Sequence, residues 1–235
     1  MNKELAEVIK LYAIGSHKEM NNYLLGKSKN DMIALLTDLI TMYINDKNSS
    51  TLREFITVIT AGYKHSERKI GYNGYKQSSI LGGKAIMCEA KPKNFDTEEL
   101  EKFKKRERKT KPTKLNGQGN FTDYTFQRLE RNFEENLNML ISGFVNGKLI
   151  YIIEFPFGCE TFTKKLRRQL EKRFPNGDIS GEFLRSSNFD HRDYVNSEKI
   201  KIIFLLSKSE LEKYASCING KFYEFLWQTA KLTEK

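Results

Sequence analysis

Glu89 and Lys91 have the residue types and the spacing that hydrolysis of a phosphodiester requires. Residues 84–91 alternate like a strand, and side chains two residues apart on a strand share a face, with Cα atoms roughly 6.5–7 Å apart. A carboxylate there can bind a hard cation, and an ammonium can orient or deprotonate a water molecule. The pair predicts a metal-assisted hydrolytic site, with a same-face ion pair as the alternative.

Position within the chain singles out this pair, because Glu-x-Lys also occurs at residues 67–69 and 107–109. Only the copy at residues 89–91 ends an apolar strand, which we expect to stop at Pro92 because proline cannot donate to a ladder. The Gly/Asn sequence at residues 71–75 predicts the tight turn of a β-hairpin in front of that strand.

Three segments resemble the central part of type II restriction endonucleases of the PD-(D/E)XK superfamily, namely residues 71–75 (GYNGY), 88–94 (CEAKPKN) and 119–124 (GNFTDY). The resemblance covers roughly residues 50–210. It implies that Glu89 and the main-chain carbonyl of Ala90 ligate Mg²⁺, and that Lys91 positions the attacking water. It also implies double-stranded DNA as substrate, a homodimer, and a cognate DNA methyltransferase that forms no stable complex with the chain.

The first acid of that family, an aspartate, corresponds here to Asn73. An amide oxygen can ligate Mg²⁺ but neutralises none of its charge. A natural variant, an inactivating replacement and a different alignment of the motif all agree with this residue, and asparagine before glycine is also typical of a turn. Glu54 is the candidate second acid; its alternative role is to complete a capping box with Thr51.

Basic segments supply candidate contacts to DNA. The net charge of +10 attracts a polyanion through counterion release, although a basic surface also suits an anionic membrane. Residues 102–114 carry eight Lys or Arg against one acid and no apolar period, which predicts a loop or mobile arm. Residues 183–189, with Arg192, mix donors and acceptors that suit base edges. The candidate DNA-binding residues are Lys104, Lys105, Arg106, Arg108, Asn120, Lys164, Arg168, Arg185, Ser187, Asn188 and Arg192.

The elements that must position these residues predict an α/β fold with a central mixed sheet, helices on both faces and a restriction-endonuclease-like core. Helical spacing predicts helices over residues 31–43, with Asp31 as N-cap, and over 51–62, 126–137, 162–174 and 211–227. Strands are predicted over residues 84–91, 139–145, 148–155 and 200–206, the middle two joined across Asn146 and Gly147. A helix start near Thr122, after Gly117 and Gly119, would present main-chain N–H groups to a phosphate.

We expect a single nuclease domain of 235 residues, with an N-terminal helical part to about residue 62 and a catalytic core over about residues 63–210. We expect no signal peptide and no membrane span, because no apolar run approaches the roughly 20 residues that a bilayer needs. Cys88, Cys159 and Cys217 suit buried thiols in a reducing cytosol, so we expect a cytoplasmic location. A structure-selective DNA nuclease and a non-catalytic DNA-binding protein are the alternative functions.

Overall fold

A six-stranded sheet lies at the centre of the molecule, for which a computed structural model describes residues 3–45, 50–66, 72–78 and 81–233. The strands are β1 (Lys64–His65), β2 (Gly74–Lys76), β3 (Ile86–Phe95), β4 (Gly119–Tyr124), β5 (Leu137–Val145), β6 (Lys148–Pro156), β7 (Leu184–Phe189) and β8 (Lys201–Leu205). The sheet has the order β1-β2-β3-β5-β6-β8, while β4 and β7 form a separate antiparallel pair. Only β3 and β5 run parallel, so the sheet is mixed, as predicted.

Helices pack against both faces of this sheet. They are α1 (Lys3–Ile14), α2 (His17–Leu25), α3 (Lys29–Asn45), α4 (Ser50–Thr60), α5 (Thr97–Lys104), α6 (Phe126–Glu134), α7 (Glu160–Arg173), α8 (Lys208–Glu212) and α9 (Gly220–Thr233). Leu140 of β5 packs with side chains of α1 and α4, whereas its neighbour Ile141 packs with those of β4, α7 and α9. Because adjacent strand residues face opposite ways, these two cores lie on opposite faces. The predicted α/β architecture with flanking helices is confirmed.

The hairpin of β5 and β6 forms the buried centre of the sheet. Asn146 and Gly147 have φ angles of 49° and 80°, the left-handed values that a two-residue hairpin turn needs, so the predicted turn is confirmed. Residues 149–155 are all buried, and each large apolar side chain there stabilises the fold by roughly 1.5–3 kcal/mol. Strand β5 of this hairpin is the buried strand with which β3 pairs.

Strand β3 runs through Pro92 to Phe95, so the prediction that it ends at the proline was wrong. Strand β2 pairs only with the first three residues of β3, which leaves the rest of that edge open. Residues 90 and 92 direct their main-chain nitrogens to this edge, where no ladder donor is needed, and proline is therefore tolerated.

The expected tight turn was also wrong: Gly74 lies in β2 opposite Cys88, and residues 77–85 connect the strands. Gly71 lies outside the described residues, as do Glu67 and Lys69.

Helix boundaries differ from the predictions where polar contacts decide them. Ser28, not Asp31, caps α3: the Ser28 hydroxyl accepts from Asp31 N, and the Asp31 carboxylate accepts from Ser28 N. Thr51 lies inside α4, which includes Ser50, and is therefore not its N-cap. Among the described side chains of α3 only Leu35 is buried, and Leu36 is 57% exposed, so the helix is less core-facing than its spacing indicated. The side chains of Ile40 and Tyr43 lie outside the described residues.

Three further elements differ from the predictions, two in their boundaries and one in its burial. Helix α6 stops at Glu134, and Leu137 begins β5 instead. The expected closing helix is divided into α8 and α9 by a 3-10 turn at Ala215–Cys217. Strand β8 is an edge strand with half-buried side chains, not a buried one.

The prediction of a phosphate-binding helix start near Thr122 was wrong. Residues 119–124 form β4, and α6 begins at Phe126. The Asp178 carboxylate accepts hydrogen bonds from the main-chain N–H groups of Phe126 and Gln127 at 2.8 Å each, so this helix end already holds an anion. All three cysteines are buried and free, as predicted. Within the described ranges, no helix has the length and apolar character needed to cross a bilayer.

Candidate active site

Strand β3 presents Glu89 and Lys91 side by side, as the alternation predicted. Cys88 and Ala90 are buried against α4, whereas Glu89 and Lys91 project from the opposite face. Lys91 Nζ donates to Glu89 Oε1 at 2.7 Å, and the side chains are only 19% and 12% exposed. The carboxylate is therefore aimed by its neighbour on the same strand.

Strand β4 also restrains the position of the Lys91 side chain. Its Nζ lies 4.7 Å from the centre of the Phe121 ring, a cation–π contact that limits where the ammonium can move. A Cβ on Gly119 would lie 3.0 Å from Lys91 Cβ and 2.4 Å from the ring of Phe189. Glycine at 119 therefore lets β4 approach β3 closely enough to seat the lysine.

Asn73 closes the open edge of β3 beside this pair. Its main-chain N–H donates to Cys88 O at 2.9 Å, and its Oδ1 accepts from Ala90 N at 2.7 Å. Its Nδ2 donates to Glu54 Oε2 at 3.1 Å. The side chain thus joins β3 to α4 and brings a second carboxylate to the strand edge, so Asn73 is more than a turn residue.

The main-chain carbonyl of Ala90 points toward the same edge as its N–H, because both groups of one strand residue face the same neighbour. Since that N–H bonds Asn73, the carbonyl oxygen also faces the edge where Asn73 and Glu54 meet. Three kinds of oxygen, from Glu54 and Glu89, from Asn73 and from Ala90, therefore lie on β3 or at its open edge. All four residues line a single cavity of about 710 Å³.

This oxygen set suits a hard cation. Mg²⁺ is bound in proteins by one or two carboxylates together with neutral oxygens, waters and substrate phosphates. Within the described part of the chain, no three His, Cys, Asp or Glu side chains gather into a metal site. Two carboxylates, one amide oxygen and one main-chain carbonyl nevertheless fit Mg²⁺, with substrate oxygens completing the coordination.

Strand β2, which directly follows Asn73, is itself anchored in the buried interior. A Cβ on Gly74 would lie 2.6 Å from Val58 Cγ1, so only glycine lets β2 reach α4. Lys76 Nζ lies 3.4 Å from the buried Glu154 carboxylate, which also accepts from Tyr63 Oη at 3.1 Å. Burial raises the pKa of Tyr63, which keeps its hydroxyl protonated as a donor.

The opposite wall of the cavity is formed by β4 and α6, and the sequence patterns did not predict it. Thr122 and Asp123 line it from β4, and Asp123 has a φ of 52°. Arg128 and Arg131 line it from α6. The signal was present, because residues three apart on a helix share a face and these arginines lie away from its buried Leu129.

Arg128 is held in place by its neighbours. Its guanidinium donates to Thr122 O at 2.8 Å and lies 5.8 Å from the Phe121 ring and 5.6 Å from the Tyr124 ring. The Arg131 side chain is exposed at the cavity wall and makes no hydrogen bond or ion pair with the described residues. Two cations, one of them hydrogen-bonded to Thr122, therefore face the carboxylates across the cavity.

The predicted recognition segment forms β7, which pairs with the cavity-lining β4. Asn120 lies directly opposite Asn188, and Ser186 lies between them, with its Oγ accepting from Asn120 Nδ2 at 3.5 Å and donating to Asn188 Oδ1 at 3.1 Å. Arg185 is exposed on the same strand. Ser187 is fully buried, so its inclusion among the DNA contacts was wrong: strand alternation turns it inward.

Several other candidate DNA-binding residues are already paired with acids. Lys104 bonds Glu101 at 2.7 Å, Arg108 pairs with Glu99, Lys164 bonds Glu160 at 2.5 Å, and Arg192 makes two hydrogen bonds to Asp190 at 2.6 and 2.9 Å. Lys105, Arg106 and Arg168 are exposed and have no ion pair within the described residues. The predicted loop over residues 102–114 was wrong at its start, since residues 102–104 complete α5.

The fold and the site together define a mixed α/β protein with an oxygen-lined, partly cationic cavity at the open edge of its central sheet. The chain matches no known protein-family model and no curated protein. Its function must therefore be argued from the geometry of this cavity.

Proposed function

We propose that this chain is a Mg²⁺-dependent endonuclease that cuts double-stranded DNA at a specific sequence, as a type II restriction enzyme with a PD-(D/E)XK core does. One observation carries the proposal. Glu89, Lys91, the edge-facing Ala90 carbonyl and the Asn73–Glu54 pair converge on one cavity, beside a polar two-stranded sheet.

Each residue of the cavity has a role in this reaction. Mg²⁺ bound by Glu54, Asn73, Glu89 and the Ala90 carbonyl would supply Lewis-acid stabilisation of charge on the phosphate and the leaving oxygen. Lys91 donates to the attacking water and holds it in line with the phosphorus, since its ammonium is already fixed between Glu89 and Phe121. Arg128 and Arg131 bind the sugar–phosphate backbone from the opposite wall.

The pairing of β4 with β7 supports a sequence-reading role for that sheet. Side-chain amides bond adenine edges and arginine bonds guanine edges in the major groove. Asn120, Asn188 and Arg185 offer these groups from one small sheet whose other end, at Thr122, lines the cavity. Recognition and cleavage would then share one rigid element.

A homodimer belongs to the proposal, because two identical subunits can read a palindrome and cut both strands. Apolar side chains exposed on α2 and α3 offer a surface for a second copy, with Leu25 84% and Leu36 57% exposed.

Non-catalytic DNA binding is the second candidate, and one observation favours it. Asn73 already satisfies both ends of its amide, with Ala90 N–H on its oxygen and Glu54 on its nitrogen, so the site is closed without a cation. A protein that only binds DNA needs the cationic wall and the polar sheet but no metal.

Digestion of long linear DNA decides between these functions. The chain, its Glu89→Gln variant and a Glu171→Gln control from the exposed face of α7 are incubated with DNA and Mg²⁺ and resolved on a gel. Discrete bands from the chain and the control, but not from Glu89→Gln, would support the proposal. Cutting confined to branched substrates would indicate a structure-selective nuclease, and binding without cutting a non-catalytic protein.

A further inference from the structure

Lys93 extends the row of functional side chains on β3 by one step. The pairing of β3 with β5 is unbroken from Met87 to Phe95, so strand alternation persists across Pro92. Lys93 therefore projects from the same face as Glu89 and Lys91, about 6.5–7 Å beyond Lys91. Neither the motif nor the alternation had assigned it a role.

The environment of Lys93 disfavours its positive charge. The side chain is half-buried and forms no hydrogen bond or ion pair with any described residue. Burial lowers the pKa of Lys93, and the nearby charges of Lys91 and Arg53 lower it further. Arg53 comes from α4, which packs on β3, while Lys91 is already paired with Glu89.

Such an arrangement is unfavourable in the free protein, because a half-buried cation loses hydration and is repelled by like charges. An anion placed beside Lys93 would offset both penalties. The distance from Lys91 to Lys93 is comparable to the distance between neighbouring phosphates along one nucleic-acid strand. A nucleic-acid strand with one phosphate at Lys91 therefore places the next phosphate near Lys93.

We propose that Lys93 binds the phosphate adjacent to the scissile phosphate on the strand that is cut. This inference rests on the proposed function and deepens it, because it sets the direction of the DNA strand along β3. Lys93 is a substrate-binding residue here and takes no part in the proton transfers.

The first test measures how salt affects binding of long linear duplex DNA, with Ca²⁺ in place of Mg²⁺ so that cleavage does not interfere. The variants are Lys93→Met, Lys93→Arg and Lys201→Met, the last removing an exposed lysine from the opposite edge strand, β8. Lys93→Met should lower the slope of log K against log salt by about 0.9, while Lys93→Arg and Lys201→Met keep the wild-type slope. Thermal unfolding should show no loss of stability in Lys93→Met, since a poorly solvated charge is removed.

The second test uses duplexes containing the mapped cleavage site, each with one neutral methylphosphonate on one side of the scissile phosphate. One of the two duplexes should bind wild type and Lys93→Met equally, because the charge that Lys93 contacts is gone. A difference that persists in both duplexes would overturn the assignment.

The outcomes separate this inference from the nuclease proposal. A wild-type slope in Lys93→Met, with normal DNA binding and cleavage by the chain, would refute only the role of Lys93. DNA binding that depends on Lys93, without any cleavage by the wild type, would keep the phosphate contact and refute the nuclease. Absence of DNA binding by the wild type would refute both.

Discussion

The carboxamide of Asn73 donates a hydrogen bond to the carboxylate of Glu54, with 3.1 Å between Nδ2 and Oε2. This contact joins strand β2 to helix α4 at the point where Ala90 directs its carbonyl to the open sheet edge. A neutral donor here stabilises Glu54 without a cation. A carboxylate at position 73 would instead need a cation between the two acids.

The Asn73→Asp variant should therefore gain cleavage and lose metal-free stability. A charged ligand that stabilises the transition state by about 3–4 kcal/mol corresponds to roughly a hundred- to a thousand-fold in rate, so we expect an increase of at least tenfold even if Glu54 partly compensates. Without Mg²⁺, two carboxylates at hydrogen-bonding distance repel, and the melting temperature should fall. Single-turnover rates and thermal melts across a Mg²⁺ titration measure both effects.

Asn94→Asp is the matched control for that experiment. Asn94 lies on the neighbouring strand β3, and its Oδ1 accepts from Gly147 N at 3.1 Å, a role that a carboxylate can fill. Its rate and its Mg²⁺ dependence should equal those of the wild type. If Asn73→Asp behaves like this control, the first acid of the site lies elsewhere, and Glu54 is the next residue to replace.

The Glu89→Gln variant separates a functional carboxylate from a structural ion pair. Loss of the charge should abolish cleavage and tighten metal-free DNA binding, because an acid no longer faces the phosphate. The Lys91 ammonium also loses its partner at 2.7 Å, which should destabilise the fold by about 1–3 kcal/mol. Gel-shift affinity, single-turnover cleavage and urea unfolding test the three parts. Retained cutting would exclude Glu89 as a metal ligand.

Local patterns predicted the parts of the fold that depend on neighbours in sequence. The Asn146-Gly147 turn, the amphipathic α7 and the face shared by Glu89 and Lys91 each follow from a short window. Strand β4 was missed because its partner, β7, lies about 60–70 residues away, and its Phe121 packs against the distant Phe157, Phe162 and Phe189. Asp178 likewise caps α6 from a distant loop. Contacts between residues far apart in the chain produce no periodic pattern in the sequence.

The candidate site was predictable to the same extent. Glu89, Lys91 and Glu54 could be proposed from residue type and element, and the cavity contains all three. The spacing of Arg128 and Arg131 puts them on one helix face, but the position of that face on the cavity wall depends on how β4 crosses β3. The same holds for Asp123. The ion pairs of Lys104 and Arg108 were not predicted either. They form because α5 brings Glu101 and Glu99 beside these two residues.

Asp190 should make stability depend on pH in acid. Hydrogen bonds from Arg192 hold the pKa of the Asp190 carboxyl below its usual range. A lowered folded-state pKa means that this stabilisation is fully present above the unfolded pKa, near 4, and is lost as the pH falls through the folded value. Asp190→Asn should therefore lower stability by about 1–2 kcal/mol near neutral pH and by progressively less in acid.

Thermal melts from neutral pH down to acid, on wild type and Asp190→Asn, give this comparison. Glu160→Gln is the control, because Glu160 pairs with Lys164 on the exposed surface of α7 and should contribute little at any pH. A constant gap between wild type and Asp190→Asn across the whole range would show that the effect of Asp190 does not come from its charge.

Gly119→Ala tests whether the crossing of β4 over β3 sets the position of Lys91. The added Cβ would lie 2.4 Å from Phe189 Cζ and 3.0 Å from Lys91 Cβ, so either β4 or the lysine must move. Overpacking of this kind costs about 1–3 kcal/mol, and a displacement of about 1 Å in a reacting group can lower the rate a hundredfold. We therefore expect single-turnover cleavage to fall by about ten- to a hundred-fold, while the variant stays folded and still binds DNA. Gly158→Ala, where nothing lies within 4 Å of the new Cβ, should match the wild type. Cleavage at the wild-type rate by Gly119→Ala, at unchanged stability, would mean that the placement of Lys91 does not depend on β4.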